Sequence, residues 1–186
     1  MSDIQLSSLG VLSVLPERAL RLLETSSTTK SFDRGRAIFR EGDVASELFV
    51  IRSGLVAIVN RSPAGRESLV ARLEAGTLFG ELPLFDGLPR SADAQALTAT
   101  ELTVLPYDRL RNVFDQEPRL LWEMLALLAG RLRAADEALA DAAFLDVTGR
   151  TAKRVLDAAG SDETFSLGVT QEQLASMVGA SRERVN

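Results

Sequence analysis

From Ser31 to Pro106 the chain is a series of short β-prone runs broken by Gly35, Gly42, Gly54, Gly65, Gly76 and Gly80. The runs are Ala37 to Arg40, Glu47 to Ile51, Leu55 to Asn60, Ser68 to Leu73 and Glu101 to Leu105. Short runs between turn residues predict an all-β region, a small sandwich, barrel or roll, and Ser62-Pro63-Ala64-Gly65 predicts a hairpin tip. Two helical segments flank it: Pro16 to Thr25, with Leu20, Leu22 and Leu23 among charges, and Tyr107 to Asp115. Both are expected to serve packing.

A much longer helix is predicted from about Pro118 to Ala143, which at a rise of about 1.5 Å per residue makes a rod of about 40 Å. Leu121, Leu125, Leu128, Leu132, Ala135, Leu139 and Ala142 alternate spacings of four and three. Such a heptad seam predicts a parallel homodimer joined along residues 117–143. The competing expectation buries the same leucines on the chain's own β region. Leu120, Met124 and Leu127 lie on a different flank and could cover that region while the seam stays free.

The helical pattern breaks at Phe144-Leu145-Asp146-Val147-Thr148-Gly149-Arg150, where Asp146 can cap a new helix whose run continues from Ala152 to Ala159. This break divides the chain into residues 1–116, 117–145 and 146–186. In the last part Thr170 is placed to cap a helix carrying Leu174 and Val178. Gly179 permits a sharp turn, and Ser181 caps a second helix opening with Arg182 and Glu183. The expected unit is a helix-turn-helix. Asn186 falls only six residues into that second helix, too few to be stable or to fill a groove alone, so DNA binding by this stretch alone is expected to be poor.

The densest chemistry lies in Phe79-Gly80-Glu81-Leu82-Pro83-Leu84-Phe85 followed by Arg90-Ser91-Ala92. Gly80 lets backbone approach a ligand closely, Glu81 can accept from a sugar hydroxyl, and Arg90 can fork two donors onto a phosphate. Ser91 adds a hydroxyl and neighbouring amides. The combination points to a small phosphorylated sugar.

Composition removes several other chemistries. With no Cys and no His in 186 residues, disulfides, thiolate metal sites and Cys or His catalysis are excluded. No carboxylate, Lys, Ser or Tyr constellation suggests an enzyme instead. The net charge of −5 argues against nucleic-acid binding by the whole surface, while Arg150, Lys153, Arg154, Arg182 and Arg184 leave room for a local basic face. The start Met1-Ser2-Asp3-Ile4 lacks a signal-peptide pattern and no apolar run reaches a membrane span, so a soluble cytoplasmic protein is expected.

The Phe-Gly-Glu and Arg-Ser-Ala segments resemble the phosphate-binding cassette of cyclic-nucleotide-binding domains. The phrase Ala-Phe-Leu-Asp-Val-Thr-Gly-Arg resembles the interdomain hinge of the cyclic-AMP receptor protein (CRP/FNR) family, and the segment from Val169 to Asn186 resembles its helix-turn-helix. The resemblance covers Ser31 to Asn186. It implies an α+β protein with an N-terminal β-roll, a long dimerisation helix and a C-terminal DNA-binding domain of winged type, incomplete at Asn186. It also implies a homodimeric transcriptional regulator controlled by a cyclic nucleotide, cyclic AMP first and cyclic GMP or another second. Its partners would be palindromic double-stranded DNA and RNA polymerase.

By the same resemblance Gly80, Glu81, Leu82, Arg90 and Ser91 bind ligand. Arg182 and Glu183 read bases, and Thr170 and Ser181 contact phosphates. Relatives that sense oxygen through an iron–sulfur cluster or carbon monoxide through haem need Cys or His, which this chain lacks. One departure concerns the nucleobase. Where the family's long helix carries neighbouring Thr and Ser against the adenine, alignment through the hinge gives Ala135 and Asp136. Ala135 cannot donate or accept through its side chain, and Asp136 can only accept. Two rivals follow: a family regulator that ignores cyclic nucleotide or senses another ligand, and a nucleotide-binding module that does not bind DNA.

Overall fold

The computed structural model describes residues 17–62, 67–159, 170–180 and 185. Helix α1 (Glu17–Ser26) precedes eight strands: β1 (Thr28–Phe32), β2 (Ala37–Phe39), β3 (Glu47–Ser53), β4 (Val56–Arg61), β5 (Glu67–Leu73), β6 (Leu78–Phe79), β7 (Asp93–Ala96) and β8 (Thr100–Pro106). Helix α2 (Leu82–Asp86) interrupts them, and α3 (Tyr107–Gln116), α4 (Arg119–Phe144), α5 (Val147–Ala159) and α6 (Gln171–Met177) follow. The strands form two antiparallel sheets with orders β1-β8-β3-β6 and β2-β7-β4-β5.

Strand β3 shows why the central run is apolar without alternation. Phe49 and Ile51 face the interior between the sheets with Val56, Phe79 and Val104, while Leu48 and Val50 face a second core with Leu23, Leu110 and Phe114. A strand covered on both faces has no solvent side to make polar. The second core seats α1, α3 and the first turns of α4 on the outer side of the first sheet. Gly54 closes the β3–β4 turn at φ +90°, and a Cβ there would lie 2.5 Å from Ala99 O. Only glycine fits this position.

The five expected strands are present with small shifts at their ends. The structure adds β1, β6 and β7 and the short α2, none of which the sequence reading contained. Pro16 and the hairpin-tip residues Pro63, Ala64 and Gly65 lie outside the described residues.

Helix α4 carries both of its expected flanks. Leu120 and Met124 are buried and Leu127 is partly buried against the second core. On the seam Leu121, Leu125, Leu132 and Leu139 are exposed, Leu132 at 63% and Leu139 at 70%. Apart from half-buried Leu128, the seam leucines are therefore not spent on the chain's own β region. Trp122 at 72% and Phe144 at 85% extend the apolar exposure.

The break between α4 and α5 is narrower than expected, Leu145 and Asp146 alone. Asp146 Oδ1 accepts from Gly149 N at 2.7 Å, closing the first turn of α5, which begins at Val147, five residues before the expected Ala152. Lys153 ties α5 back to α4 by donating to Glu137 at 2.6 Å and Asp141 at 2.8 Å. The hydrogen bonds to Asp141 and then Glu137 raise its pKa above the ordinary lysine value, so the ammonium stays charged through neutral pH. Arg150 donates to Leu145 O at 2.7 Å and Val178 O at 3.0 Å. These two cations thus bind their own chain between α4, α5 and the residues after α6.

Helix α6 packs against β5, burying Leu174, Ala175 and Val178. Leu174 N donates to Thr170 O at 2.9 Å, and Gly179 takes φ +65° after the helix. Among the described residues no helix is long and apolar enough to cross a membrane.

Candidate functional site

Strand β6 delivers Phe79 into the inter-sheet core and ends at Gly80, whose φ is +76°. The next turn is α2, which Pro83 helps start and which Gly87 ends in the left-handed conformation. The chain then returns to Arg90, whose backbone is pinned to the 42–43 loop: Arg90 N donates to Asp43 O at 3.0 Å, and Arg90 O accepts from Gly42 N at 2.9 Å. Gly80, Glu81 and Arg90 thus lie together.

The Arg90 side chain turns inward. It is 5% exposed, its guanidinium carbon lies 4.2 Å from the Phe39 ring centroid and 5.5 Å from that of Phe49, and Phe49 stacks on Phe79 at 5.3 Å. Nη1 donates to Gly80 O at 2.7 Å and to the Tyr107 hydroxyl at 3.0 Å, and Nη2 donates to Glu47 O at 2.6 Å. Tyr107 in turn donates its hydroxyl hydrogen to Gly80 O at 2.6 Å.

This changes the role expected for Gly80. A Cβ there would lie 2.7 Å from Arg90 Nη1, so in this structure the missing side chain admits the guanidinium. Burial lowers the Arg90 pKa from its ordinary value, partly offset by Tyr107 and Glu47. Burial raises that of Tyr107, partly offset by Arg90. Arginine stays charged and tyrosine neutral across the physiological range.

Every hydrogen-bond acceptor around Arg90 is an uncharged oxygen. Among the described residues no carboxylate forms an ion pair with it. Its three hydrogen bonds leave at least Nε–H and one Nη2 hydrogen without an acceptor among the described residues. A buried cation with neutral partners and spare donors is built to take an anion.

Glu81 is 2% exposed, and its carboxylate pairs with Arg131 of α4. Arg131 also donates to Leu78 O, so one guanidinium clamps both ends of the β6–α2 turn. The sequence reading did not include Arg131. Its signal was the stripe Leu120, Met124, Leu127, Arg131, in which the α4 flank that covers the roll continues at spacings of four, three and four and ends on a cation.

Leu82 opens α2 at 40% exposure, and Ser91 is exposed beside buried Arg90. Ala135 lies four residues after Arg131, one turn along the same side of α4. Asp136 is next to it, and both are exposed. Thr170 is exposed at the start of α6, whereas Ser181, Arg182 and Glu183 lie outside the described residues.

Comparison with known proteins matches residues 29–117 to the cyclic nucleotide-binding domain. The whole chain is similar to a CRP-like cAMP-activated global transcriptional regulator of Mycobacterium tuberculosis. That match is 37% identical over 191 aligned positions and covers 99% of this chain and 85% of the regulator. This chain belongs to the CRP/FNR family of transcriptional regulators. The cAMP-activated regulator CRP of Escherichia coli is 34% identical over 155 positions, covering 80% of this chain and 74% of that protein.

Among solved structures, the c-di-GMP-responsive regulator CLP of Xanthomonas campestris aligns with a TM-score of 0.79 and 27% identity, covering 91% of this chain and 88% of that one. The catabolite activator protein of Thermus thermophilus aligns at 0.65 and 30% identity, covering 95% and 83%. The β-sandwich with its long helix is thus the sensor architecture of CRP/FNR proteins.

The Glu81–Arg131 pair has a direct stability consequence. Arg131→Leu strands a buried carboxylate, and because Arg131 is partly open to solvent the expected loss is about 2 kcal/mol. Arg131→Lys should lose less. Thermal unfolding checks this, and an unchanged midpoint in Arg131→Leu would contradict the clamp.

Proposed function

We propose that this chain is a homodimeric, DNA-binding transcriptional regulator of the cytoplasm controlled by a cyclic nucleotide, with cyclic AMP as the leading ligand. The observation that carries the reading is buried Arg90 beside Gly80 and Ser91, which has spare N–H donors and, among the described residues, no carboxylate partner. A cyclic phosphate supplies the missing anion, with Ser91 adding a donor. The Glu81 carboxylate, held by Arg131, accepts from the ribose hydroxyl. The domain match and the cAMP-activated relatives support this ligand class.

Coupling to DNA runs through α4. Arg131 connects the cassette to a helix whose other flank is an exposed leucine seam, and that helix leads directly into the Leu145–Asp146 break. Ligand that favours one arrangement of this unit shifts the orientation of two helix-turn-helix units relative to palindromic half-sites about one DNA turn apart. Thr170, Ser181, Arg182 and Glu183 are the proposed DNA contacts, and RNA polymerase is the proposed downstream partner. The three-part division at residues 116 and 145 is the proposed functional division.

A second reading is favoured by Ala135, which offers no hydrogen bond to a base. In it the phosphate clamp persists while base preference shifts, so that another nucleotide, or none, controls the regulator. Asp136 accepts from an exocyclic amine but repels other acceptors.

Calorimetry with cyclic AMP and cyclic GMP tests the first reading. Binding of cyclic AMP is expected, and Arg90→Leu should weaken it at least about 100-fold through loss of the buried countercharge. No heat from either nucleotide at protein concentrations well above micromolar would sink it. The dimer is tested separately by sedimentation. Leu132→Lys with Leu139→Lys should convert a dimer to a monomer, and an unaffected dimer would exclude the α4 seam as its interface.

A further inference from the structure

We propose that Tyr107 is the residue that positions Arg90 for the ligand phosphate, an inference that rests on the cyclic-nucleotide reading above. Tyr107 is the first residue of α3, 4% exposed, with its ring in the core that seats the helices. Its hydroxyl reaches across to the cassette, donating to Gly80 O at 2.6 Å and accepting from Arg90 Nη1 at 3.0 Å. Arg90 Nη1 also donates to Gly80 O at 2.7 Å. The three groups form a closed triangle in which each contacts the other two.

The triangle decides which part of the guanidinium is available. Nη1 makes two of the three hydrogen bonds, to Gly80 O and to the Tyr107 hydroxyl. Nη2 spends one on Glu47 O. What remains is Nε–H and one hydrogen of Nη2, neither on the nitrogen that Tyr107 fixes. Rotation of the group about its long axis is further resisted by Phe39 against its face at 4.2 Å. Without the hydroxyl, Nη1 loses one of its two acceptors inside the core, so the guanidinium turns to recover one and the spare donors lose their direction.

Tyr107 also links this geometry to the rest of the fold. Tyr107 N donates to Ser46 O at 2.8 Å, so the loop before β3, the carbonyl that Glu47 offers Arg90, and the start of α3 are held by one residue. The phosphate donor is thereby oriented from the helical layer rather than from the cassette's own turn.

Two measurements on the whole chain test the assignment. Nitrogen-15 NMR of the Arg90 guanidinium, assigned by loss of its signals in Arg90→Lys, should resolve the Nη hydrogens separately in the unaltered protein. In Tyr107→Phe they should average through rotation. Averaged signals already in the unaltered protein, or resolved signals in Tyr107→Phe, would overturn the proposal. These outcomes need no ligand, so they stand even if cyclic AMP fails to bind and the functional reading falls. Calorimetry with cyclic AMP should then give a roughly tenfold weaker affinity for Tyr107→Phe, about the loss of one hydrogen bond to a charged group. Equal affinities for the two proteins would show that the hydroxyl does not position the phosphate donor.

Discussion

A guanidinium buried with no carboxylate partner among the described residues organises this structure. Arg90 is solvated by carbonyl oxygens from β3 and β6, by a phenol from α3 and by the faces of two phenylalanines. These groups come from β2, β3, the end of β6 and α3. Phe39 and Phe49 come from opposite sheets, Tyr107 from the helical layer, and Gly80 from the edge of β6. The sandwich must close, and α3 must seat on it, before this cation has its partners. A charge so placed costs desolvation that neutral acceptors only partly offset, which makes an incoming anion a stabilising partner.

The second cation, Arg131, does the complementary work. It neutralises the buried Glu81 carboxylate and bonds Leu78 O, so the turn that carries the cassette is attached to the long helix. One side of α4 is therefore occupied by the roll through Leu120, Met124, Leu127 and Arg131, while its leucine seam remains exposed. The same helix packs on the roll with one flank and leaves leucines exposed on the other. In the proposed function, a ligand that changes the Glu81 environment acts on that helix through Arg131.

Much of this was legible in the residue order. Glycine spacing marked the short strands, the heptad leucines separated from the roll-facing stripe, and Gly80, Glu81 and Arg90 stood out as a cluster. Other elements carried no periodic signal. Thr28–Phe32 is nearly all polar because β1 is an exposed edge strand, β6 is two residues long, and α2 is a single turn inside the cassette. Side-chain direction was the larger gap. Spacing places Arg90 near Gly80 but cannot show whether the guanidinium points to solvent or into the core, because that depends on Phe39 and Tyr107, which are distant in sequence. Arg131 was missed for a related reason: its partner is 50 positions away.

In the proposed function, Arg90 with its spare donors holds the phosphate of the cyclic nucleotide. Phosphorus-31 NMR of cyclic AMP titrated with this protein observes that contact directly. The account predicts a displaced or broadened phosphate resonance that returns to the free position in Arg90→Leu. A resonance that stays at the free position with stoichiometric protein, or shifts equally with Arg90→Leu, would contradict it.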